Sequence, residues 1–178
     1  MADARDRLTR LVGAEAAGLL AYFVRRVPNR EDAADLLGET LLALARRPDR
    51  IPDDPEGARR WAFGVARTVL RAGRRTFSIR TARDAAAAEQ LRDAALLSIR
   101  EIGGPEDTEQ RAVREAVRML PERDRELLML VHWEGFSIEE AAALLGMPGS
   151  SARTRLARAR QSLAARLDVS DRVQAVQT

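Results

Sequence analysis

Apolar residues recur every three or four positions in the first part of the chain. Between residues 8 and 27 this spacing is typical of a helix that buries one face. Gly13 and Gly18 interrupt the pattern, and glycine weakens a helix interior. The segment therefore predicts one imperfect helix or two short ones.

Helix-start signals predict two further helices in the first half of the chain. Asn29 is a favourable N-cap for a helix over 30–47, whose first turn is acidic as the helix dipole favours. Prolines then require a loop, and Asp54 followed by Pro55 predicts a third helix that ends near Arg75. These helices form the predicted first domain.

The last third of the chain carries the clearest local signals. A predicted helix over 108–120 is followed by Pro121 at the start of another, which ends near Gly135, where glycine can adopt the left-handed conformation. Ser137 and Glu140 then fit a capping box, in which each side chain bonds the other residue's backbone amide. A new helix is therefore expected to begin directly after Ser137.

That new helix is the first half of a predicted helix-turn-helix. It ends at Leu145, Gly146 supplies a tight turn, and the next helix covers 148–167. A helical wheel of the last helix predicts a core side made of Ala152, Leu156, Ala159, Leu163 and Leu167. Its opposite side carries Ser150, Arg153, Thr154, Ala157, Arg158 and Gln161. Short polar residues mixed with arginine are suited to reading the major groove, although an ordinary solvated face is the alternative.

Length and composition fit an all-α protein of two small helical domains. The chain has 178 residues, of which 46% are hydrophobic, enough for packed cores. We expect a first domain over 1–80, a flexible linker over 81–108 and a helix-turn-helix domain over 109–170. Residues 84–102 are alanine-rich and could form a helix, but the Gly-Gly-Pro and acids that follow favour a tether.

Several functional classes are excluded by composition. The chain has no cysteine and one histidine, His132, which excludes thiol chemistry, thiolate zinc sites and multi-histidine metal sites. We expect no metal, no cofactor and no enzymatic activity. No apolar run is long enough to span a membrane, so we expect a cytoplasmic protein without membrane insertion.

Positive charge is concentrated in two segments of the chain. The net charge is only +3, and all 30 basic residues are arginine. Residues 57–83 contain eight arginines and no acid, and residues 146–167 contain five arginines and no acid. Two such segments suit a protein that contacts a polyanion at two places.

The third predicted helix has an arginine stripe formed by Arg60, Arg67, Arg71 and Arg74. A narrow stripe suits a phosphate backbone, and a salt-bridged surface is the alternative. The wheel predicts that Trp61, Val65 and Val69 point into a core. Trp133 and Phe136 are likewise expected to pack in a core, with His132 at the surface near a helix end.

These segments resemble the extracytoplasmic-function sigma factors of bacterial RNA polymerase. Residues 29–40, NREDAADLLGET, are similar to region 2.2, and residues 60–67, RWAFGVAR, are similar to the helix of regions 2.3 and 2.4. Three further segments resemble region 4: LPERDRELL at 120–128, HWEGFSIEEA at 132–141 and RTRLARAR at 153–160. The order and spacing of these motifs are specific to the family, and the resemblance covers residues 19–167 apart from the linker.

The resemblance implies a factor that binds core RNA polymerase and directs it to promoters. In this family, region 2 holds the clamp coiled coil of the largest subunit and melts the −10 element, while region 4 docks on the flap and reads the −35 element.

By position, Asp35 and Glu39 would face the polymerase. The residues at the −10 element would be Arg60, Trp61, Arg67, Thr68, Arg71 and Arg74. Those at the −35 element would be Ser150, Arg153, Thr154, Ala157 and Arg158, with Arg155 and Arg160 towards phosphate. An anti-sigma factor is the further expected partner.

Three positions depart from the family pattern. Gly38 stands where glutamine is usual, Thr68 where asparagine is common and Ala152 where valine is usual. Gly38 weakens its helix, and Thr68 leaves the base preference at the melted element open.

Two other functions remain as alternatives. One is a stand-alone helix-turn-helix regulator that binds duplex DNA without polymerase. The other is an interaction protein or enzyme on a helical scaffold, which would require a polar pocket.

Overall fold

The computed structural model describes residues 2–27, 29–83 and 108–176. Within these ranges every regular element is helical, which confirms the all-α prediction. The chain divides into two compact units, Met1–Gly104 and Pro105–Thr178. The predicted linker lies almost entirely outside the described residues, as does the alanine-rich stretch 84–102.

The first unit contains three α-helices and one short 3-10 turn. Their bounds are Ala2–Val24 for α1, Arg30–Ala45 for α2, Pro48–Arg50 for the 3-10 turn and Pro55–Arg83 for α3. The first helix is continuous. The third runs past its predicted end near Arg75, because residues 76–83 contain neither glycine nor proline to end it.

The predicted N-caps of α2 and α3 are both present. Asn29 Oδ1 accepts a hydrogen bond from the backbone N–H of Asp32 at 2.7 Å. Asp54 Oδ1 accepts one from the N–H of Gly57 at 2.6 Å. Each cap satisfies an amide that has no partner within its helix, which typically stabilises a protein by about 1 kcal/mol.

The core of the first unit lies where α1, α2 and α3 pack together. Tyr22 forms edge-to-face contacts with Phe23 and Phe63, with ring centroids 5.3 and 5.6 Å apart, and the Arg26 guanidinium lies 3.8 Å from the centroid of the Tyr22 ring. In the part of α3 whose side chains the structure describes, the buried apolar residues are Ala58, Ala62, Phe63, Ala66 and Leu70.

The core prediction for the other side of α3 is wrong. Trp61, Val65 and Val69 are only half-buried. They lie beside the buried alanine stripe of α3 and border an open groove next to the 3-10 turn. Alanines leave room for close helix contact, so the bulkier side chains are displaced to the rim of the bundle.

The second unit contains four α-helices. They are Thr108–Arg118, Glu122–His132, Ile138–Leu145 and Gly149–Val176, named α4 to α7 in that order. The helix-turn-helix prediction is confirmed in α6 and α7, and α7 runs beyond its predicted end. Among the described residues, the buried apolar side chains of this unit are mainly leucine and alanine: Ala116, Val117, Leu120, Leu127, Leu128, Met129, Leu130, Phe136, Ala141, Ala142, Leu145, Ala152, Leu156 and Ala159.

The two aromatic residues after α5 have opposite environments. Phe136 is buried, with 3% of its surface exposed, as predicted. Trp133 is 43% exposed, so the prediction that it packs in the core is wrong. Trp133 is the C-cap of α5, and the chain turns inward only after Gly135, whose φ is 71°.

Gly38 offers a direct way to stabilise the first unit. It lies in the interior of α2 on the exposed side, and a Cβ atom added there would have no neighbouring atom within 4 Å. We predict that Gly38→Ala raises the free energy of unfolding by about 0.5–1 kcal/mol, because alanine has the higher helix propensity. Thermal unfolding followed by circular dichroism measures the effect.

Gly146→Ala is the matched control. A Cβ atom would also meet nothing there, but Gly146 has a φ of 63°. We expect this variant to destabilise the second unit by about 1–2 kcal/mol, since non-glycine residues disfavour the left-handed region. If both substitutions had the same effect on stability, the left-handed conformation assigned to Gly146 would be contradicted.

Candidate nucleic-acid and partner interfaces

The start of α6 is fixed by the predicted capping box. Ser137 Oγ accepts a hydrogen bond from the Glu140 N–H at 3.2 Å, and Glu140 Oε2 accepts one from the Ser137 N–H at 2.9 Å. At its other end, Gly146 adopts the left-handed conformation, and the chain re-enters a helix at Gly149. These local interactions set the geometry between α6 and α7.

Burial fixes the rotation of α7 about its axis. Ala152, Leu156 and Ala159 are at most 2% exposed and pack into the unit. Leu163 and Leu167, predicted on the same side, are half-buried. All six residues predicted on the opposite face, from Ser150 to Gln161, are exposed.

Two arginines on this exposed face differ in their surroundings. The Arg153 guanidinium contacts the Glu139 carboxylate of α6 at 2.7 Å. Both side chains are largely exposed, so this ion pair is weak and can be exchanged for another partner. Arg158 makes no hydrogen bond or ion pair with the described part of the chain. It is therefore available for contact from outside.

The two flanking arginines of α7 both contact α5. Arg155 Nη1 lies 2.7 Å from the Asp124 carboxylate, and Arg155 is half-buried. On the other flank, Arg160 Nε and Nη2 lie 3.3 and 3.2 Å from Nε2 of His132, and both residues are exposed. Arg155 thus links two helices within the unit, a contact that the sequence did not indicate.

The pKa of His132 lies below its usual value of 6.5. Partial burial disfavours the charged imidazolium, and the nearby positive charge of Arg160 adds to this effect. The ring is therefore neutral in the folded protein near neutral pH.

The arginine stripe of α3 is only partly open to solvent. Arg71 and Thr68 are exposed, whereas Arg60 and Arg67 are half-buried. Arg74 lies on α3, but its side chain is outside the described residues. The hydroxyl of Thr68 donates to the Gly64 carbonyl oxygen at 3.0 Å, so it remains able to accept a further bond.

A groove with basic edges runs beside this stripe, with a volume of about 500 Å³. Its α3 side is formed by Trp61, Gly64, Val65, Thr68 and Val69, and Ala43, Arg46, Arg47 and Arg50 complete it. Sequence reasoning missed the three arginines. They lie at the end of α2 and in the 3-10 turn, and the short cluster that they form around Pro48 was the available signal.

The polar face of α2 contains an apolar residue that sequence reasoning also missed. Asp35 and Glu39 are exposed, as is Glu31 one turn earlier. Leu42 is 60% exposed and falls on the same side, at position i+7 from Asp35. Leu42 therefore adds exposed apolar area to this acidic side of α2.

Among the described residues, none of the helices combines the length and the apolar character that a membrane span needs. The described side chains also contain no group of three or more histidine, cysteine or acidic residues arranged to hold a metal.

His132 makes one electrostatic prediction directly measurable, because it is the sole histidine of the chain. We predict an NMR titration of its imidazole with a pKa below 6.5, and Arg160→Ala should raise that pKa by removing the nearby charge. Since the folded pKa lies below the unfolded one, its contribution to stability is complete above about pH 6.5 and is lost as the pH falls through the folded pKa. A pKa above 6.5 would contradict this account.

Comparisons with known proteins agree with these features. Residues 110–163 match the family model described as Sigma-70, region 4. The chain is 32% identical over 157 residues to the RNA polymerase sigma-E factor of Streptomyces avermitilis, covering 86% of this chain and 80% of that protein. It is 33% identical over 167 residues to the ECF RNA polymerase sigma factor EcfG of Rhodopseudomonas palustris, covering 92% and 87% respectively.

Two solved structures share the fold. One is the sigma factor RpoE in complex with the anti-sigma factor NepR from Bartonella quintana, with a TM-score of 0.64, 22% identity and coverage of 95% of this chain and 99% of that one. The other is CnrH in complex with the cytosolic domain of CnrY, with a TM-score of 0.61, 24% identity and coverage of 93% and 95%. By the identity and coverage of its curated relatives, the chain belongs to the extracytoplasmic-function sigma factors, the non-enzymatic transcription initiation factors that take RNA polymerase to promoters.

Proposed function

We propose that this sigma factor divides promoter recognition between its two units. The first unit binds core polymerase through α2 and holds the single-stranded −10 element in the groove beside α3. The second unit docks on the flap and reads the −35 element with the exposed face of α7. The observation that carries the proposal is the pairing of a helix-turn-helix, whose polar face is open, with a separate basic groove lined by a half-buried indole.

The α2 surface suits the polymerase contact because it combines charge with an apolar centre. Asp35 and Glu39 supply negative charge, and Leu42 supplies apolar area that binding can remove from water. Gly38 lies on the same side and leaves a gap where a long polar side chain would otherwise extend.

The groove suits single-stranded DNA better than duplex DNA. Arginines at its edge attract phosphates, while Trp61 offers a flat surface on which an unpaired base can stack. A paired base is not available for such stacking, so binding here favours the melted form of the promoter.

Regulation is expected to come from a protein partner. Both similar solved structures are complexes, one with the anti-sigma factor NepR and the other with the cytosolic domain of CnrY. We propose that an anti-sigma factor likewise holds this chain inactive. Because the chain lacks cysteine, any thiol-based signal would have to enter through that partner.

Reconstitution with core polymerase tests the function as a whole. The holoenzyme should transcribe a subset of genomic fragments that core polymerase alone does not transcribe, and these fragments should share two spaced elements. A chain that binds duplex DNA tightly but never associates with core polymerase would instead be a stand-alone regulator.

Charge reversal on α2 should weaken polymerase association. We predict that Asp35→Arg with Glu39→Arg slows binding to core polymerase about tenfold at low salt, because it removes complementary charge. Asp49→Arg with Glu56→Arg is the matched control, since it makes the same charge change at exposed sites elsewhere in the first unit. Surface-bound core polymerase without DNA gives the rates. Equal slowing by both pairs would mean that net charge, not this face, controls association.

Loss of the indole in the groove should impair promoter opening. We expect Trp61→Ala to weaken holoenzyme binding to the non-template strand of the −10 element by about 1–3 kcal/mol, the usual contribution of one stacked base. Trp133→Ala is the control, because it removes the other tryptophan of the chain, which is exposed and lies in the second unit. Permanganate reactivity of thymines in the −10 element reports opening, and an unchanged pattern in Trp61→Ala would contradict the role of the groove.

Arg158 and Arg160 should affect DNA binding in different ways. Arg158 lies on the exposed face and makes no hydrogen bond or ion pair with the described residues, so Arg158→Ala should relax preference at one −35 base pair and weaken the best site by about 1–3 kcal/mol. Arg160→Ala should weaken all promoters equally and reduce the salt slope by about one. A promoter library measured at several salt concentrations separates the two. If Arg160→Ala changed base preference and Arg158→Ala weakened all promoters equally, α7 would have to face DNA with a different side from the one proposed.

A further inference from the structure

The contact between His132 and Arg160 has an unusual arrangement of donors. Both guanidinium nitrogens that approach the imidazole, Nε and Nη2, are donors, and both point at the same ring atom, Nε2. Nε2 must therefore accept, which places the ring proton on Nδ1. The edge of Arg160 that would hold two oxygens of an anion is occupied by a neutral imidazole.

Protonation of His132 cannot preserve this contact. A proton on Nε2 turns the acceptor into a donor and adds a positive charge 3.2 Å from Arg160. The two side chains must then separate, which leaves N–H donors of both directed at solvent. Two exposed cations on neighbouring helices form a site that fits one shared anion, since an oxygen can accept from each.

The position of this pair on α7 indicates the anion. Arg153 and Arg160 are seven residues apart, which places them on the same edge of the helix about 10 Å apart along its axis. Arg153 belongs to the exposed face, so the edge that continues to Arg160 runs along the side of the major groove. Phosphates of the DNA backbone line that side.

We infer that His132 and Arg160 together form a phosphate site at the −35 element, closed by their mutual hydrogen bond in the free protein and opened when His132 takes up a proton. DNA binding and proton uptake are thereby coupled. This inference rests on the proposed function, because the phosphate belongs to promoter DNA held by α7.

Partial burial has the larger effect on the pKa of His132, and among the surrounding charges Arg160 is the one that lowers it further. On α6, Glu139 contacts Arg153 and Glu140 closes the capping box with Ser137. On α5 itself, the turn before His132 is apolar from Leu127 to Val131, and Asp124 contacts Arg155. The lowered pKa of His132, caused by partial burial and Arg160, agrees with a closed pair in the free protein.

The test uses holoenzyme reconstituted with the full chain and a promoter duplex found by transcription selection. Affinity is measured over a series of salt concentrations at pH 6 and at pH 8. In the wild type, the salt slope should be steeper at pH 6 by close to one unit, because one more phosphate contact carries a full charge. His132→Gln, which stays neutral, should show the shallower slope at both pH values. His132→Lys, which stays charged, should show the steeper slope at both.

Arg166→Gln is the control for a general charge effect, since Arg166 is an exposed arginine of α7 outside the proposed contact. It should keep the wild-type difference between the two pH values. If His132→Gln keeps that difference as well, the inference is overturned. Wild-type holoenzyme that fails to bind the promoter at either pH would instead defeat the proposed function.

The closed form has a separate test in the free chain. Nitrogen-15 labelling of the sole histidine should show the proton on Nδ1 at pH 8, with Nε2 unprotonated. Arg160→Ala should shift the balance between the two tautomers. A proton on Nε2 in the wild type would overturn the proposed pair, whatever the DNA measurements show.

Discussion

Close contact between helices through alanine is the constraint on which both units depend. Aromatic residues make up only 4% of the chain, and beside its leucines the core contains buried alanines at Ala33, Ala58, Ala62, Ala66, Ala116, Ala141, Ala142, Ala152 and Ala159. A methyl side chain lets helix axes approach closely, and close approach leaves little freedom to rotate. Each helix thus buries one narrow stripe. Arg71 of α3 and Arg153, Arg158 and Arg160 of α7 lie outside those stripes and are exposed.

Local signals predicted where helices begin, because a cap involves only residues within one turn. Asn29, Asp54 and Ser137 all cap as their sequence neighbourhoods indicate. Helix ends were less predictable, since residues 76–83 of α3 and 168–176 of α7 contain no glycine or proline to mark an end. The two tryptophans show a different limit. Periodicity predicts which side of a helix faces the core. Whether Trp61 or Trp133 is buried there depends on which neighbouring helix contacts it.

For the candidate site, the sequence predicted the helix face on which each residue lies, but not which other residues it contacts. A wheel shows that Arg153 and Arg158 share a face, but it cannot show that Glu139 contacts one and leaves the other open. The groove next to α3 needed three-dimensional information, because Arg46 and Arg50 reach it only after the chain turns at the end of α2. Residues that are scattered in sequence and brought together by a loop leave no periodic trace.

The contacts of α5 would let α7 keep its orientation if it binds phosphate as we propose. Asp124, near the start of α5, and His132, at its end, contact Arg155 and Arg160, which lie about 140° apart on α7, on either side of its buried stripe. Rotation of α7 would have to break both contacts together. If His132 releases Arg160 to a phosphate, the contact between Asp124 and Arg155 remains, and so does the packing of Leu156. The exposed face around Arg158 therefore keeps its direction while the flank exchanges an internal partner for DNA.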